Sequence, residues 1–158
     1  MLRPMKTNNR FLIACWGISL LTYFPSLAEV VEVGAHRFER RMLDNGLIAL
    51  AANATNETAA IYWAVDAGKR HESHQFTGLA HLTEHALFTG TKKMPGPAFE
   101  KSVRDMKGRA NAFTREDYTL YYDVGIPLDR LEEVLAWEAD RLTSLSFAPD
   151  SFAFSSSV

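Results

Sequence analysis

The order of predicted secondary-structure elements indicates a mixed α+β domain. Three early segments have the apolar content and length of strands: residues 37–43, 47–52 and 61–66. Three later segments have helical periodicity: residues 78–90, 97–106 and 128–145. Neither a repeat nor a long linker interrupts this order, so we expect the elements to pack into one domain.

Turn and breaker residues justify the boundaries of these elements. Asp44, Asn45 and Gly46 favour a tight turn between the first two strands. The second helix is expected to begin near Pro95 and to end before Gly108. Beyond it, apolar residues alternate with others at 120–124, as they do in a strand with one buried face.

The last helix carries apolar residues at steps of three and four, which predicts a stripe that packs on the sheet. The stripe comprises Leu128, Leu131, Leu135, Ala139, Leu142 and Leu145. Four acidic residues lie beside it and are interpreted as a solvated face: Glu132, Glu133, Glu138 and Asp140.

A chemical motif lies in the first helix, where His81, Glu84 and His85 have the spacing H-x-x-E-H. Residues four apart lie on one face of a helix, so the imidazoles of His81 and His85 can coordinate one zinc ion. Glu84 would reach the attacking water rather than the metal and act as general base. The order is the inverted form of the zinc-protease signature H-E-x-x-H.

Residues 78–91, GLAHLTEHALFTGT, resemble the active-site helix of the insulinase/pitrilysin family of zinc peptidases. Further similarities follow in order: LDNGL at 43–47, AGKRHE at 67–72, NAFT at 111–114, DYTLYY at 117–122 and ADRL at 139–142. The resemblance implies a ferredoxin-like half-domain of this metallopeptidase type, incomplete at its C-terminus, with residues 29–158 as its N-terminal part. It also implies zinc (Zn²⁺) as cofactor, His81 and His85 as its ligands, and Glu84 as the catalytic residue.

The resemblance further implies how substrate, the remaining ligand and a partner are supplied. Asn111, Ala112 and Phe113 would form an edge strand on which a peptide substrate adds by backbone hydrogen bonds. The third zinc ligand, a glutamate, would fall just past Val158, and residues 151–157 lack the acidic residue that often supports it. The expected partner is a second homologous half or subunit.

The first 28 residues have the pattern of a secretory signal peptide. Arg3, Lys6 and Arg10 precede an apolar run at residues 11–21, and small residues indicate cleavage near Ala28. The run is too short for a stable membrane span. We therefore expect the remaining chain to be periplasmic or secreted.

Charge and cysteine content narrow the class of protein further. The chain has 17 Lys and Arg against 19 Asp and Glu, a net charge of -2, which disfavours nucleic acid as a partner. Cys15, the single cysteine, would leave with the signal peptide, so zinc would depend on nitrogen and oxygen ligands. Residues 12–15 also resemble a short lipoprotein box, which would instead anchor the chain to lipid at Cys15.

Two function classes remain open from the sequence. The first is a zinc-dependent metalloendopeptidase that hydrolyses extended peptides or unfolded segments. The alternative is a truncated, non-catalytic family member that binds a complete subunit. His36, His71 and His74 lack a partner at helical spacing and are interpreted as surface residues, while Glu72 is interpreted as support for the loop before the helix.

Overall fold

The computed structural model describes residues 29–34, 36–52 and 57–145, together with the backbone of residues 11–16. This part of the chain contains seven strands: β1 Phe11–Trp16, β2 Glu29–Val33, β3 His36–Met42, β4 Ile48–Ala52, β5 Thr58–Val65, β6 Arg109–Thr114 and β7 Thr119–Pro127. It also contains three α-helices: α1 Leu79–Leu87, α2 Gly96–Asp105 and α3 Leu131–Thr143. Short 3-10 turns lie at Lys69–His71, His74–Phe76 and Leu128–Arg130.

The strands form one sheet in the order β2-β3-β4-β1-β5-β7-β6. Neighbouring strands are antiparallel except β1 and β4, which are parallel. Strand β6 lies at one edge, and its register with β7 places Asn111 opposite Tyr122 and Thr114 opposite Thr119. The sequence motif on α1 and the predicted substrate strand are therefore both found at this edge of the sheet.

The predicted α+β architecture is confirmed, and most element boundaries agree within a few residues. Strand β5 begins at Thr58 rather than at Ile61. The last predicted helix is divided, because Leu128–Arg130 is a 3-10 turn and the α-helix begins at Leu131. Strand β1 is not among the predicted elements, since residues 11–21 are assigned from sequence to the core of a signal peptide. Removal of residues 1–28 stays a prediction.

The core lies between the sheet and the helices. Ile61 and Trp63 of β5 are buried on the face that the sequence predicts, and Tyr121 of β7 lies on the same face. Phe99 and Val103 of α2 pack against them. Alternation along the strands thus directs one row of side chains into the core.

Most of the predicted stripe packs against the core, with Leu131 buried and Leu128, Leu135, Leu142 and Leu145 partly buried, but the buried face of α3 is wider than predicted. Leu131 and Val134 are core residues, and the same face continues with Glu138 and Arg141, which are only 1 and 2 % exposed. The prediction that Glu138 belongs to a solvated face is therefore wrong. Glu138 forms an ion pair with Arg141 three residues later, and a paired charge can be buried where a single one cannot.

The buried pair is part of a larger cluster that joins α3 to the sheet and to α1. Asp123 of β7 is 2 % exposed and shares a side-chain hydrogen bond with Glu138. Arg141 Nε donates to the carbonyl oxygen of Leu87 at 3.2 Å, and its guanidinium lies 4.0 Å from the centre of the Phe99 ring. Two carboxyl groups and one guanidinium therefore lie together in the core, and Glu138 is the ion-pair partner of Arg141.

Burial determines the protonation of this cluster. It raises the pKa of Asp123 to about 8, the nearby Glu138 carboxylate adds to this effect, and Arg141 opposes it. Burial also raises the pKa of Glu138. If the two carboxyl groups share one proton, the cluster with Arg141 is electrically neutral, which avoids burying a net charge.

We expect unfolding to depend on pH through Asp123. Its usual pKa is 3.8, so the folded chain holds an additional proton between about pH 4 and about pH 8 and loses stability as the pH rises through that range. Asp123→Asn keeps a donor toward Glu138 but cannot ionise, so its free energy of unfolding should vary less with pH. Urea unfolding of the full chain at several pH values in this range measures the slope.

Asp105→Asn, at an exposed position on α2, is the control for this experiment, because it removes a carboxylate without touching the buried cluster. It should keep the wild-type slope. A slope for Asp123→Asn equal to that of the wild type would contradict a shared proton in the folded chain.

Candidate active site

Helix α1 begins where a glutamate from the preceding loop satisfies its first amides. Gly78 precedes the helix in the left-handed conformation, with φ of 91°, which a residue without Cβ adopts freely. The Glu72 carboxylate accepts hydrogen bonds from the N–H groups of Gly78 and Ala80, both at 2.8 Å. These two bonds lower the pKa of Glu72. The predicted support role of Glu72 agrees with this geometry.

The loop before α1 is in turn attached to the turn between β6 and β7. The Lys69 N–H donates to the Arg115 carbonyl oxygen at 3.1 Å. The Arg70 N–H donates to the Glu116 carbonyl oxygen at 2.8 Å. Gly68 allows this approach, because a Cβ there would lie 2.4 Å from the Arg115 oxygen. Helix α1 is therefore held at a fixed separation from the end of the edge strand.

His81 and His85 lie on the exposed side of α1 with their ring nitrogens close together. The two Nε2 atoms are 3.1 Å apart, and the ring centres are 4.6 Å apart at an angle of 64°. Two tetrahedral ligands of a zinc ion, at metal–nitrogen distances of about 2.0–2.1 Å, would be separated by about 3.3 Å. The imidazole pair thus fits two of the four positions around zinc.

Glu84 faces the sheet instead. It is 9 % exposed, and one of its carboxylate oxygens accepts a hydrogen bond from Thr114 Oγ1 at 2.5 Å. Thr119, opposite Thr114 in the neighbouring strand, donates to the Ala67 carbonyl oxygen at 2.9 Å. The Glu84 carboxylate on α1 is therefore hydrogen-bonded to Thr114, the last residue of β6.

Sequence reasoning misses both threonines. Threonine is common in strands, and neither charge nor spacing distinguishes Thr114 and Thr119 from other strand residues. The one available signal is their position on either side of a short turn, where cross-strand partners face each other. That signal does not reveal that a glutamate from a helix reaches one of them.

The three residues predicted to bind substrate lie together on the edge strand. Asn111 is exposed, and Ala112 and Phe113 are half-buried. The Ala112 N–H donates to the Asn111 side-chain oxygen at 2.9 Å. A peptide strand that bonded to this N–H would therefore have to displace the Asn111 amide.

The described part of the chain offers no group of three or more His, Cys, Asp or Glu side chains that could hold a metal ion. The predicted third ligand, past Val158, lies outside the described residues. His36, His71 and His74 are exposed, as predicted. None of the helices among the described residues has the length and apolar character that a membrane crossing requires.

The fold and the residues on α1 together place the chain in a class of α+β domains that carry an H-x-x-E-H motif on a helix. The model of the family Insulinase (Peptidase family M16) matches residues 47–155, which is more than half of the chain. The chain belongs to this family, and the resemblance identified from the sequence is confirmed.

Relatives and a solved structure agree with this assignment. The chain is 36% identical over 101 residues to cytochrome b-c1 complex subunit 1, mitochondrial, of Bos taurus, a match that covers 64% of this chain and 20% of that protein. It is 37% identical over 100 residues to the probable mitochondrial-processing peptidase subunit beta of Arabidopsis thaliana, covering 59% of this chain and 19% of that protein. The chain therefore spans about a fifth of the length of these curated relatives.

The crystal structure of a protease from Helicobacter pylori superposes on the chain with a TM-score of 0.69 and 28% sequence identity. The superposition covers 74% of this chain and 28% of that one. It confirms the predicted half-domain fold, of which the chain forms a part.

The predicted periplasmic or secreted location is contradicted, because both relatives are named as mitochondrial proteins. The prediction relied on basic residues before an apolar run. The first 28 residues also contain no acidic side chain, and targeting segments with different destinations share this basic, acid-poor composition. Charge and hydropathy alone therefore do not distinguish one destination from another.

Replacing Glu72 should loosen the start of α1. Glu72→Ala removes the acceptor of the Gly78 and Ala80 N–H groups, so the midpoint of thermal unfolding should fall. Because the pKa of Glu72 is lowered from 4.5, its contribution is present above about pH 4.5 and is lost as the pH falls through the lower value. Circular dichroism at neutral and acidic pH measures both effects.

Glu57→Ala, at an exposed position just before β5, is the matched control and should leave the midpoint unchanged. If Glu72→Ala and Glu57→Ala unfolded at the same temperature at neutral pH, Glu72 would not stabilise the start of the helix.

Proposed function

We propose that this chain supplies the zinc-binding helix and the substrate strand of a zinc-dependent metalloendopeptidase. The proposal is carried by the two Nε2 atoms of His81 and His85, which lie 3.1 Å apart on a helix that also bears the buried carboxylate of Glu84. His81 and His85 would hold zinc through neutral imidazole nitrogens. The third ligand is the glutamate that the resemblance places just past Val158.

A bound zinc ion would polarise the scissile carbonyl group and make water more acidic. The side chains then have separate roles. Glu84 takes a proton from the attacking water and passes it to the leaving amine, which is the work of a general base and then a general acid. The location of Glu84 beside the end of β6 supports this role, since the peptide would lie along that strand.

Strand β6 favours extended peptides or unfolded segments as substrates. It lies at the edge of the sheet, so its outer side can accept a further strand by backbone hydrogen bonds. Asn111, Ala112 and Phe113 would be the binding residues. Because backbone bonds do not depend on the identity of the side chain, such binding selects an extended conformation more than a particular sequence.

Glu84→Gln should strongly reduce hydrolysis without abolishing zinc binding. The glutamine amide cannot take up a proton, whereas the two imidazoles that bind zinc are unchanged. We expect this variant to retain zinc and to lose turnover of an unstructured peptide by about 10²- to 10⁴-fold. His81→Ala and His85→Ala should lose both properties, with zinc affinity falling by more than the ~10- to 100-fold that an outer-shell partner contributes. Metal content by emission spectroscopy and cleavage by chromatography are the measurements.

His74→Ala is the control, since His74 is exposed on the loop before α1 and lies outside the imidazole pair. It should behave as the wild type in both assays. Unchanged hydrolysis in Glu84→Gln would refute the assigned mechanism, and unchanged zinc affinity in His81→Ala would refute the metal site.

A second candidate function is that of a non-catalytic subunit that binds a complete family member. It is favoured by apolar surface beside α1, where Phe76, Leu79 and Leu82 are 61, 50 and 38 % exposed. Apolar surface of this kind is typical of contact sites, and both curated relatives are named as subunits. This function predicts complex formation in gel filtration with a complete family member, without turnover in either the wild type or Glu84→Gln.

A further inference from the structure

Thr114 ends the edge strand at the point where it reaches helix α1. Its hydroxyl donates to one oxygen of the Glu84 carboxylate at 2.5 Å. Among the described residues, Thr114 is the one that hydrogen-bonds to this carboxylate. An ionised carboxylate can only accept hydrogen bonds, so the single hydroxyl proton of Thr114 must point toward Glu84.

The neighbouring hydroxyl of Thr119 does not change the direction in which the Thr114 proton points. The nearest hydroxyl, that of the buried Thr119, is 3.4 Å from Thr114 Oγ1. Thr119 has a closer acceptor of its own in the Ala67 carbonyl oxygen at 2.9 Å. The Glu84 oxygen at 2.5 Å is a much closer acceptor for the Thr114 proton than the Thr119 oxygen at 3.4 Å, so the donor toward Glu84 is fixed before any substrate arrives.

The bond couples two parts of the proposed site. A glutamate side chain on a helix has several rotamers, and the backbone of α1 alone does not select one of them. Thr114 belongs to the same strand as Asn111, Ala112 and Phe113, so its hydroxyl holds the carboxylate in register with the strand on which a peptide would lie. One carboxylate oxygen is thereby occupied, and the other is left to exchange a proton.

We propose that Thr114 is a positioning residue for Glu84, and that its hydroxyl orients the carboxylate toward a peptide bound along β6. This role rests on the proposed function. Misplacement of a reacting group by about 1 Å costs on the order of 100-fold in rate. Loss of the hydroxyl should therefore lower kcat by about 10- to 100-fold and leave KM within about twofold, because Thr114 does not itself bind the peptide.

The test compares Thr114→Val, which keeps the shape of the side chain without the hydroxyl, with Thr114→Ser, which keeps the hydroxyl. The full chain is labelled with carboxyl-¹³C glutamate, and the Glu84 resonance is identified by its loss in Glu84→Gln. At one fixed neutral pH, Thr114→Val should shift this resonance and Thr114→Ser should restore it. In the zinc-loaded chain the same pair should show the loss and recovery of kcat, with equal zinc content.

Thr143→Val is the matched control, because its hydroxyl donates to the Ala139 main-chain oxygen of α3 at 2.7 Å and otherwise contacts the Ser144 hydroxyl at 3.5 Å, without a bond to Glu84. It should change neither the resonance nor kcat. Thr114→Ala takes the place of Thr114→Val if circular dichroism shows that the valine variant does not fold.

The outcomes separate this role from the proposed function. An unmoved Glu84 resonance in Thr114→Val, or a wild-type kcat in that variant, would overturn the positioning role. Absence of hydrolysis in the wild type would overturn the proposed function and, with it, the catalytic purpose of Thr114. The resonance would in that case still report whether the bond fixes the carboxylate.

Discussion

The position of helix α1 depends on one carboxylate and one guanidinium, which satisfy the backbone groups at its two ends. At the start, Glu72 accepts the N–H groups of Gly78 and Ala80. At the end, Arg141 donates to the carbonyl oxygen of Leu87. Both groups are held by structure outside the helix, one by the loop after β5 and the other by the buried cluster on α3. A helix of only nine residues has little stability alone, so these tertiary contacts decide where its side chains lie.

Carboxyl groups buried between the sheet and the helices meet two different environments. Glu84 accepts a hydrogen bond from the Thr114 hydroxyl, a partner that carries no charge. Glu138 is paired with Arg141, and Asp123 lies buried beside Glu138, where burial raises the pKa of both carboxyl groups. The first environment leaves a carboxylate available for proton transfer, and the second makes two carboxyl groups part of the packing.

Much of the fold and part of the site can be predicted from the sequence because their signals are local. The tight turn at residues 44–46, the alternation in β5 and the H-x-x-E-H spacing each depend on neighbours along the chain. The burial of Glu138 and the contact of Thr114 with Glu84 depend on which element packs opposite, and no local pattern contains that information. Strand β1 shows a further limit, since the apolar composition at residues 11–16 suits the core of a signal peptide as well as a strand.

Membership of the insulinase family establishes the fold of this chain but does not establish its role. The two relatives share similar identity with it, yet one is named as a subunit of a processing peptidase and the other as a subunit of a cytochrome b-c1 complex. The same scaffold is therefore found in proteins named for different tasks. In the proposed function of this chain, the role depends on a few side chains of α1 and β6 rather than on the fold as a whole.

The position of strand β1 in the middle of the sheet means that removal of residues 1–28 would change the sheet itself. β1 is parallel to β4 and antiparallel to β5, so β4 and β5, which follow one another in the chain, run in opposite directions on either side of it. Cleavage after Ala28 would withdraw a strand from the middle of the sheet and leave two facing edges with unpaired backbone groups. Their opposite directions suit direct pairing as a hairpin. The uncut and cut chains would then have sheets of different strand order, with β1 between β4 and β5 in the uncut chain alone.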